Sequence, residues 1–163
     1  MKILLAEGIC TFMKSSTMII KRVTHAHLDH LIPLFDGYRV FYKQASDPDN
    51  AKIFLEERLL KKDSVIFIAL DEEGKGLGFT QLYPSFSSVS MQRVYILNDL
   101  FVSQSARGKG IGEALLQRAK EFAIETSSKG LTLETAIDNP AQHLYERLDW
   151  KKDTEVFHYT WTA

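Results

Sequence analysis

Residues 94–116, VYILNDLFVSQSARGKGIGEALL, carry the pattern that decides the fold of this chain. A run of β-branched and aromatic residues ends at Val102 and predicts a long strand. A polar turn follows, and the glycines after Arg107 lead into a segment with apolar residues at helical spacing. We therefore expect a strand that passes through a glycine turn into a helix.

Glycines at the start of a helix suit anion binding. The first backbone N–H groups of a helix have no carbonyl partner, and the helix dipole adds partial positive charge there. Gly108, Gly110 and Gly112 would let a phosphate approach these groups, because a Cβ would hold it away. The P-loop and the dinucleotide-binding fingerprint need other glycine spacings. The remaining alternative is a plain glycine turn before a surface helix.

The other predicted elements alternate between the two periodicities. Their order is β-α-α-β-β-β-α-β-α-β. Besides the strand ending at Val102 and the helix starting at Ile111, they are expected at residues 18–23 (strand), 28–42 and 51–61 (helices), 64–70, 77–84 and 130–136 (strands), 138–150 (helix) and 151–161 (one or two strands).

Composition indicates one globular domain without a polyanionic partner. The chain has 163 residues, and its 20 Lys and Arg against 21 Asp and Glu give a net charge of −1. Nucleic acid is therefore not expected as a partner. Cys10 is the one cysteine, which suits a reducing, cytoplasmic location. No apolar run approaches the ~20 residues of a membrane span, so no membrane association is expected.

The central block resembles a known family of enzymes. Asp-Leu-Phe-Val, five residues, Arg-Gly-x-Gly-Ile-Gly and then Leu-Leu is similar to the acetyl-CoA-binding core of the GNAT superfamily of N-acetyltransferases. Residues 138–150 resemble the family's last helix, Asn-x-x-Ala-x-x-Leu-Tyr-Glu-x-x-Gly-Phe, although Asp149 stands at its Gly. An Asp can adopt the left-handed conformation that ends a helix. The resemblance implies an α+β, three-layer fold with a mixed, mostly antiparallel sheet and helices on both faces.

The resemblance also divides the chain. Residues 18–163 are expected to form a single acetyltransferase domain, whereas residues 1–17 match no element of the family. This extension could reflect an upstream start, with Met18 as an alternative one. The apolar stretch at residues 1–5 is too short for a signal peptide.

For the cofactor, the resemblance implies acetyl-CoA and no metal. The pantetheine arm would lie along Leu100, Phe101 and Val102, in a gap between this strand and residues 131–135. The pyrophosphate would bind the glycine turn and the helix start. The residues implied there are Arg107, Gly108, Lys109, Gly110, Ile111, Gly112, Glu113 and, further along, Asn139. Lys109 could equally be an exposed lysine, and Asp138 is the alternative to Asn139.

Acetyl transfer requires two proton movements. An alkylamine has a pKa of about 10.4, so it must lose a proton before it attacks the thioester directly in a ternary complex. The departing thiolate benefits from a proton donor. Tyr145 matches the family's general acid. Asp99 is the nearest carboxylate for the base, because Asn98 stands where polyamine acetyltransferases have a Glu. A water relay, or capture of the minor neutral amine, is the alternative.

The acceptor is expected to be a small primary amine. The chain resembles a branch that includes polyamine, amino-acid and histone-type acetyltransferases. Aromatic walls suit an alkylammonium group through cation–π contacts, although plain core packing is the alternative for Tyr38. The candidate acceptor-binding residues are Tyr38, Tyr42, Tyr83, Phe86 and Asn98.

Other functions and assemblies remain open. A non-catalytic acyl-CoA-binding regulator could use the same fold. His25, His27, Asp29 and His30 resemble the zinc signature of metallo-β-lactamase hydrolases, but the preceding strands and further ligands of that family are missing. The aromatic tail at residues 157–161 would form an edge strand, so we expect a homodimer.

Overall fold

A five-stranded sheet forms the centre of the protein, whose residues 18–163 are described by a computed structural model. The strands are β1 (Ile19–Arg22), β2 (Val65–Leu70), β3 (Gly76–Ser87), β4 (Gln92–Val102) and β5 (Leu131–Thr132), in the spatial order β1-β2-β3-β4-β5. Neighbouring strands are antiparallel except for β4 and β5, which are parallel. The predicted mixed, mostly antiparallel sheet is confirmed.

Four α-helices complete the described fold. They are α1 (Leu28–Phe41), α2 (Pro48–Lys61), α3 (Ile111–Glu125) and α4 (Gln142–Arg147). The start of α2 follows from local chemistry: the Asp47 side chain accepts a hydrogen bond from the Asn50 N–H at 3.1 Å, and Pro48 follows it. The helix ends where Lys62 turns to a left-handed φ of 53°.

Strand β2 separates two apolar layers, because its side chains alternate between the faces of the sheet. All six of its residues are buried. One face packs against α3, whose predicted apolar stripe is buried there, and the other packs against α1 and α2. This arrangement of helix, sheet and helix confirms the predicted three-layer α+β fold.

The end of the chain differs from its prediction. Strand β5 has two residues, and no strand forms within residues 151–163. The strands predicted over residues 151–161 are therefore wrong. The chain leaves the sheet after Thr132, so β5 offers an edge of only two residues for pairing. Phe157, Tyr159 and Trp161 are each at least 85% exposed. The homodimer stays a prediction, without the edge strand on which it was based.

Two further expectations concern the chain as a whole. Within residues 18–163, no helix is both long and apolar enough to cross a membrane. The prediction that residues 1–17 form an extension lies outside the described residues, as do the predictions for Cys10 and the first apolar stretch.

Substitution of Gly78 tests how closely the backbones of β3 and β4 approach each other. A Cβ on Gly78 would lie 2.6 Å from the Phe101 carbonyl oxygen and 3.2 Å from Val102 Cα. We expect Gly78→Ala to lower the free energy of unfolding by about 1–3 kcal/mol through overpacking. Urea denaturation measures this loss.

The matched variant is Gly37→Ala in α1. Its Cβ would meet only the Phe101 ring edge, at 3.3 Å, and alanine favours the helix. The free energy of unfolding should change little. Equal losses from both variants would contradict the close backbone approach at Gly78.

Candidate active site

A cleft opens where two strands separate. Strands β4 and β5 pair only at Tyr95–Leu131 and Ile96–Thr132. Beyond Ile96, β4 continues along β3 as far as Val102, whereas β5 has ended. The start of α3, residues 133–135 and α4 enclose the resulting gap, with the end of α1 at its other side. The cleft has a volume of about 690 Å³, within the range of ligand pockets.

A β-bulge in β4 decides which side chains face which layer. Leu97 is opposite Leu82 and Asp99 is opposite Gln81, so Asn98 is an extra residue with no partner in β3. The alternation therefore shifts by one position. Before the bulge, Leu97 packs in the layer of α3; after it, Leu100 joins that layer, and Phe101 packs against the opposite layer of α1. The bulge thereby turns Asp99 towards α1.

The glycine turn presents the start of α3 to the cleft. Gly108 and Gly110 have left-handed φ values of 75° and 76°, which glycine adopts without strain, and Gly110 is the residue before the helix. The Arg107 Nε donates to the Val102 carbonyl at 3.2 Å, which holds the turn against the end of β4. The cleft is lined here by Arg107, Gly108, Gly110, Ile111, Gly112 and Glu113. Lys109 does not line it.

Tyr145 lines the cleft on the side formed by α4. This residue lies in α4 and packs against Trp150, with 6.2 Å between the ring centroids. Burial, and secondarily the nearby Tyr42 hydroxyl, raises the pKa of Tyr145. Asp149 ends the helix with a left-handed φ of 61°, the conformation expected for it. Tyr145 is therefore a protonated phenol directed at the cleft.

Asn139 lies at the entrance to α4 and lines the cleft. Its amide donates to Thr135 Oγ1 at 2.9 Å, and its carbonyl oxygen accepts from the Ala141 N–H at 3.0 Å. Its side chain thus orders the loop that carries α4. Asp138 does not line the cleft.

The predicted acceptor residues separate into two groups. Tyr38, Tyr42 and Asn98 line the cleft together with Leu100, Phe101 and Val102. Tyr83 and Phe86 do not. Tyr83 accepts a hydrogen bond from Gln81 at 2.9 Å, and burial is the main cause that raises its pKa to about 12. Phe86 is 69% exposed and lies near the end of β3, opposite Arg93 of β4.

Asp99 is buried beside the cleft and does not line it. The carboxylate is 4% exposed and accepts from the Asn98 amide at 3.0 Å. A further hydrogen bond joins it to Tyr38. Burial raises the pKa of Asp99, while these two hydrogen bonds partly lower it. Strand alternation alone would keep Asn98 and Asp99 apart, but the bulge brings the two side chains into contact.

Other cleft residues were not found from the sequence. Phe41 lines the cleft near Arg107, whose guanidinium carbon lies 5.9 Å from the ring centroid. Arg147 donates to Glu113 at 2.9 Å and so links α4 to α3. A contact between residues this far apart in the sequence has no local signal. Phe41 belonged to an apolar helical pattern that also fits a core residue.

The histidine motif at residues 25–30 lies at the start of α1. His25–His27 forms a 3₁₀ turn, in which His27 Nδ1 lies 3.1 Å from the Thr24 N–H nitrogen and 3.0 Å from its Oγ1. Throughout residues 18–163, no three His, Cys, Asp or Glu side chains are grouped so that they could hold a metal ion. The Thr24 and His27 side chains thus cap the turn that leads into α1.

Known proteins are similar to this chain over most of its length. The chain is 50% identical over 143 residues to a Bacillus subtilis protein named uncharacterized N-acetyltransferase YhfO, covering 87% of this chain and 95% of that protein. It is 23% identical to the D-amino-acid N-acetyltransferase HPA3 of Saccharomyces cerevisiae over 89% of this chain and 92% of that protein. A crystal structure of a probable acetyltransferase has 47% identity and a TM-score of 0.84, covering 89% of this chain and 97% of that one.

The sequence model of the acetyltransferase (GNAT) family matches residues 29–150, which contain the cleft, the glycine turn and α4. Together with the 50% identity to an N-acetyltransferase over most of both chains, this match shows the family. The protein is an N-acetyltransferase and belongs to the GNAT family.

Proposed function

We propose that the protein transfers the acetyl group of acetyl-CoA to the primary amine of a small molecule, by direct attack within a ternary complex. The observation that carries this proposal is the cleft between β4 and β5, which joins an open helix N-terminus to a protonated tyrosine. Acetyl-CoA needs a site that binds both its pyrophosphate and its thioester. An amine needs access to one end of it.

The residues of the cleft fit acetyl-CoA. After Ile96, no described strand pairs with β4 on the β5 side, so backbone polar groups near Leu100 and Val102 face the cleft. They suit the amide-containing pantetheine arm, as well as the thioester carbonyl. The pyrophosphate would bind the N–H groups after Gly110, where the helix dipole favours negative charge. Arg107 and Asn139 would support the two ends of this site.

Tyr145 is proposed as the general acid. It would donate its hydroxyl proton to the sulfur as the C–S bond breaks. Its raised pKa keeps the phenol protonated through neutral pH, which an acid requires. Tyr42 lies near enough to influence that pKa, so both hydroxyls belong to the same end of the cleft.

The acceptor would enter beside Tyr38, Tyr42 and Asn98. The two tyrosine rings lie edge to face with 5.0 Å between their centroids, and Tyr42 is 54% exposed. This gives an aromatic, partly open entrance that suits an alkylammonium group. The relationship to a yeast D-amino-acid N-acetyltransferase supports a small amine or amino acid. A homodimer and a cytoplasmic location remain part of the proposal.

Gly110→Ala tests the phosphate site. Its Cβ would stand at the helix start and hold a phosphate away from the N–H groups. We expect the Kd for CoA, measured by calorimetry, to rise at least about tenfold, because hydrogen bonds to charged groups contribute about 1.5–3 kcal/mol.

The control is Gly74→Ala in the turn between β2 and β3. Gly74 has a similar φ of 81° and, like Gly110, nothing within 4 Å of the added Cβ. Both variants should lose similar stability, about 1–2 kcal/mol, from the left-handed backbone. Unchanged CoA affinity in a folded Gly110→Ala protein would contradict the assignment.

Tyr145→Phe tests the general acid. The variant keeps the ring against Trp150 and removes only the hydroxyl, so stability and CoA affinity should stay near those of the wild type. We expect kcat to fall about 10²–10⁴-fold, because the proton is needed as the thiolate leaves. Any alkaline loss of wild-type activity from ionisation of this phenol should lie above pH 10, since its pKa is raised. Native turnover by Tyr145→Phe would show that another group protonates the sulfur.

A further inference from the structure

A buried carboxylate lies behind the acceptor end of the cleft without an ion-pair partner. Within the described residues, Asp99 forms no salt bridge. Arg58, whose charge lowers the pKa of Tyr83, pairs with Asp63 at 3.2 Å and not with Asp99. Burying a carboxylate without a cation is costly. A group held in this way gains from accepting a proton.

Tyr38 connects this carboxylate to the cleft. It extends from α1, lines the cleft and shares a hydrogen bond with Asp99. Its ring is held edge-on by Phe79 and Phe101, with centroids 5.9 Å and 6.3 Å away. Burial, and then the charge of Asp99, raises the pKa of Tyr38 well above its usual value. The phenol therefore keeps its proton and can accept one proton while donating another.

The groups that face Asp99 come from three elements. Asn98 of β4 donates a hydrogen bond from its amide, and Tyr38 of α1 donates one from its hydroxyl. The charge of Asp99 also raises the pKa of Tyr83 in β3. Tyr42 faces Tyr38 from the end of α1. Since Asp99 itself does not line the cleft, a proton from the cleft reaches it by way of one of these side chains. The Asn98 carboxamide is neither an acid nor a base near neutral pH, whereas the Tyr38 hydroxyl can give up one proton while it accepts another.

We propose that Tyr38 relays a proton from the acceptor's ammonium group to Asp99, so that the neutral amine forms beside the thioester. This inference rests on the proposed function and adds the missing base. Tyr38 is the catalytic residue that contacts the amine. Asp99 acts through it.

The protons balance over one turnover. The ammonium N–H proton passes to the Tyr38 oxygen while the Tyr38 proton passes to the Asp99 carboxylate. The neutral nitrogen then forms the C–N bond, the C–S bond breaks, and Tyr145 protonates the sulfur. The second nitrogen proton restores Tyr145. Asp99 returns its proton through Tyr38 to water in the emptied cleft, which accounts for the one proton released when an ammonium becomes an amide.

Asp99→Asn and Tyr38→Phe test the relay without emptying the core. Burial raises the pKa of Asp99 in the folded protein, so its ionisation lowers stability as pH rises from about 4 through the folded pKa. Asp99→Asn removes this cost and should unfold at a temperature at least as high as the wild type at pH 7. Tyr95→Phe is the control, because Tyr95 is a buried tyrosine of the same strand that packs against Phe122, away from the cleft.

The readout is kcat/KM as a function of pH for ethylamine, with trifluoroethylamine as the comparison. Both relay variants should lose about 10²–10³-fold with ethylamine at pH 7.4, because only about one part in 10³ of an amine with a pKa near 10.4 is neutral there. The deficit should shrink to below tenfold near pH 10. With trifluoroethylamine, which fluorine leaves mostly neutral at pH 7, both variants should stay within a few-fold of the wild type. The double variant should be no slower than either single one, because the residues act in series. Tyr95→Phe should match the wild type throughout.

Each contrary result has a distinct meaning. Native ethylamine turnover by Asp99→Asn at pH 7.4 would overturn the relay while leaving the proposed function intact. A deficit of equal size at both pH values, or with both amines, would also overturn it and show a structural role. A wild-type protein that binds CoA but acetylates neither amine would overturn the relay and the small-amine function together.

Discussion

The separation of β5 from β4 after Ile96 is the constraint on which the rest of the site depends. A strand in the middle of a sheet has its backbone groups paired on both sides, but β4 is paired only with β3 over its last residues. Unpaired backbone groups need another partner, and an extended ligand with amide groups can supply one. The same separation leaves room for the start of α3 and for α4 to meet across the gap, where Arg147 and Glu113 join them.

The bulge at Asn98 turns this opening into a site with two chemically different sides. By shifting the alternation of β4, it leaves Leu100 against α3 and directs Asp99 to the layer of α1. The cleft then has one phenol on α4 and another on α1, and burial raises the pKa of both Tyr145 and Tyr38. Only Tyr38 adjoins a buried carboxylate. An acid at the sulfur and an acceptor at the amine are the two proton functions that acetyl transfer requires.

Features with a local cause were predictable from the sequence, and features with a distant cause were not. The glycine turn, the apolar stripe of α3 and the left-handed Asp149 follow from residue type and spacing, and the structure contains all three. The bulge has no local signature, so strand alternation placed Asn98 and Asp99 on opposite faces when they are in contact. Tyr83 was expected near the acceptor because the turn after Pro84 flanks the acetyl end in the fold that the resemblance implies, but its hydroxyl accepts a hydrogen bond from Gln81 and does not line the cleft. The tail was expected in a strand because its residues favour strands, yet pairing also requires an edge long enough to receive them.

Acetyl-CoA is proposed to occupy the gap between β4 and β5 with its pyrophosphate on the start of α3. Titration of the ¹⁵N-labelled protein with CoA, followed by amide NMR, tests this claim directly. We expect the largest chemical-shift changes at the amides of Leu100, Val102 and residues 108–113, with the Gly74 amide unmoved. Shifts centred instead on the smaller hollow beside Arg22 and Lys62, or on the exposed residues 156–161, would contradict it.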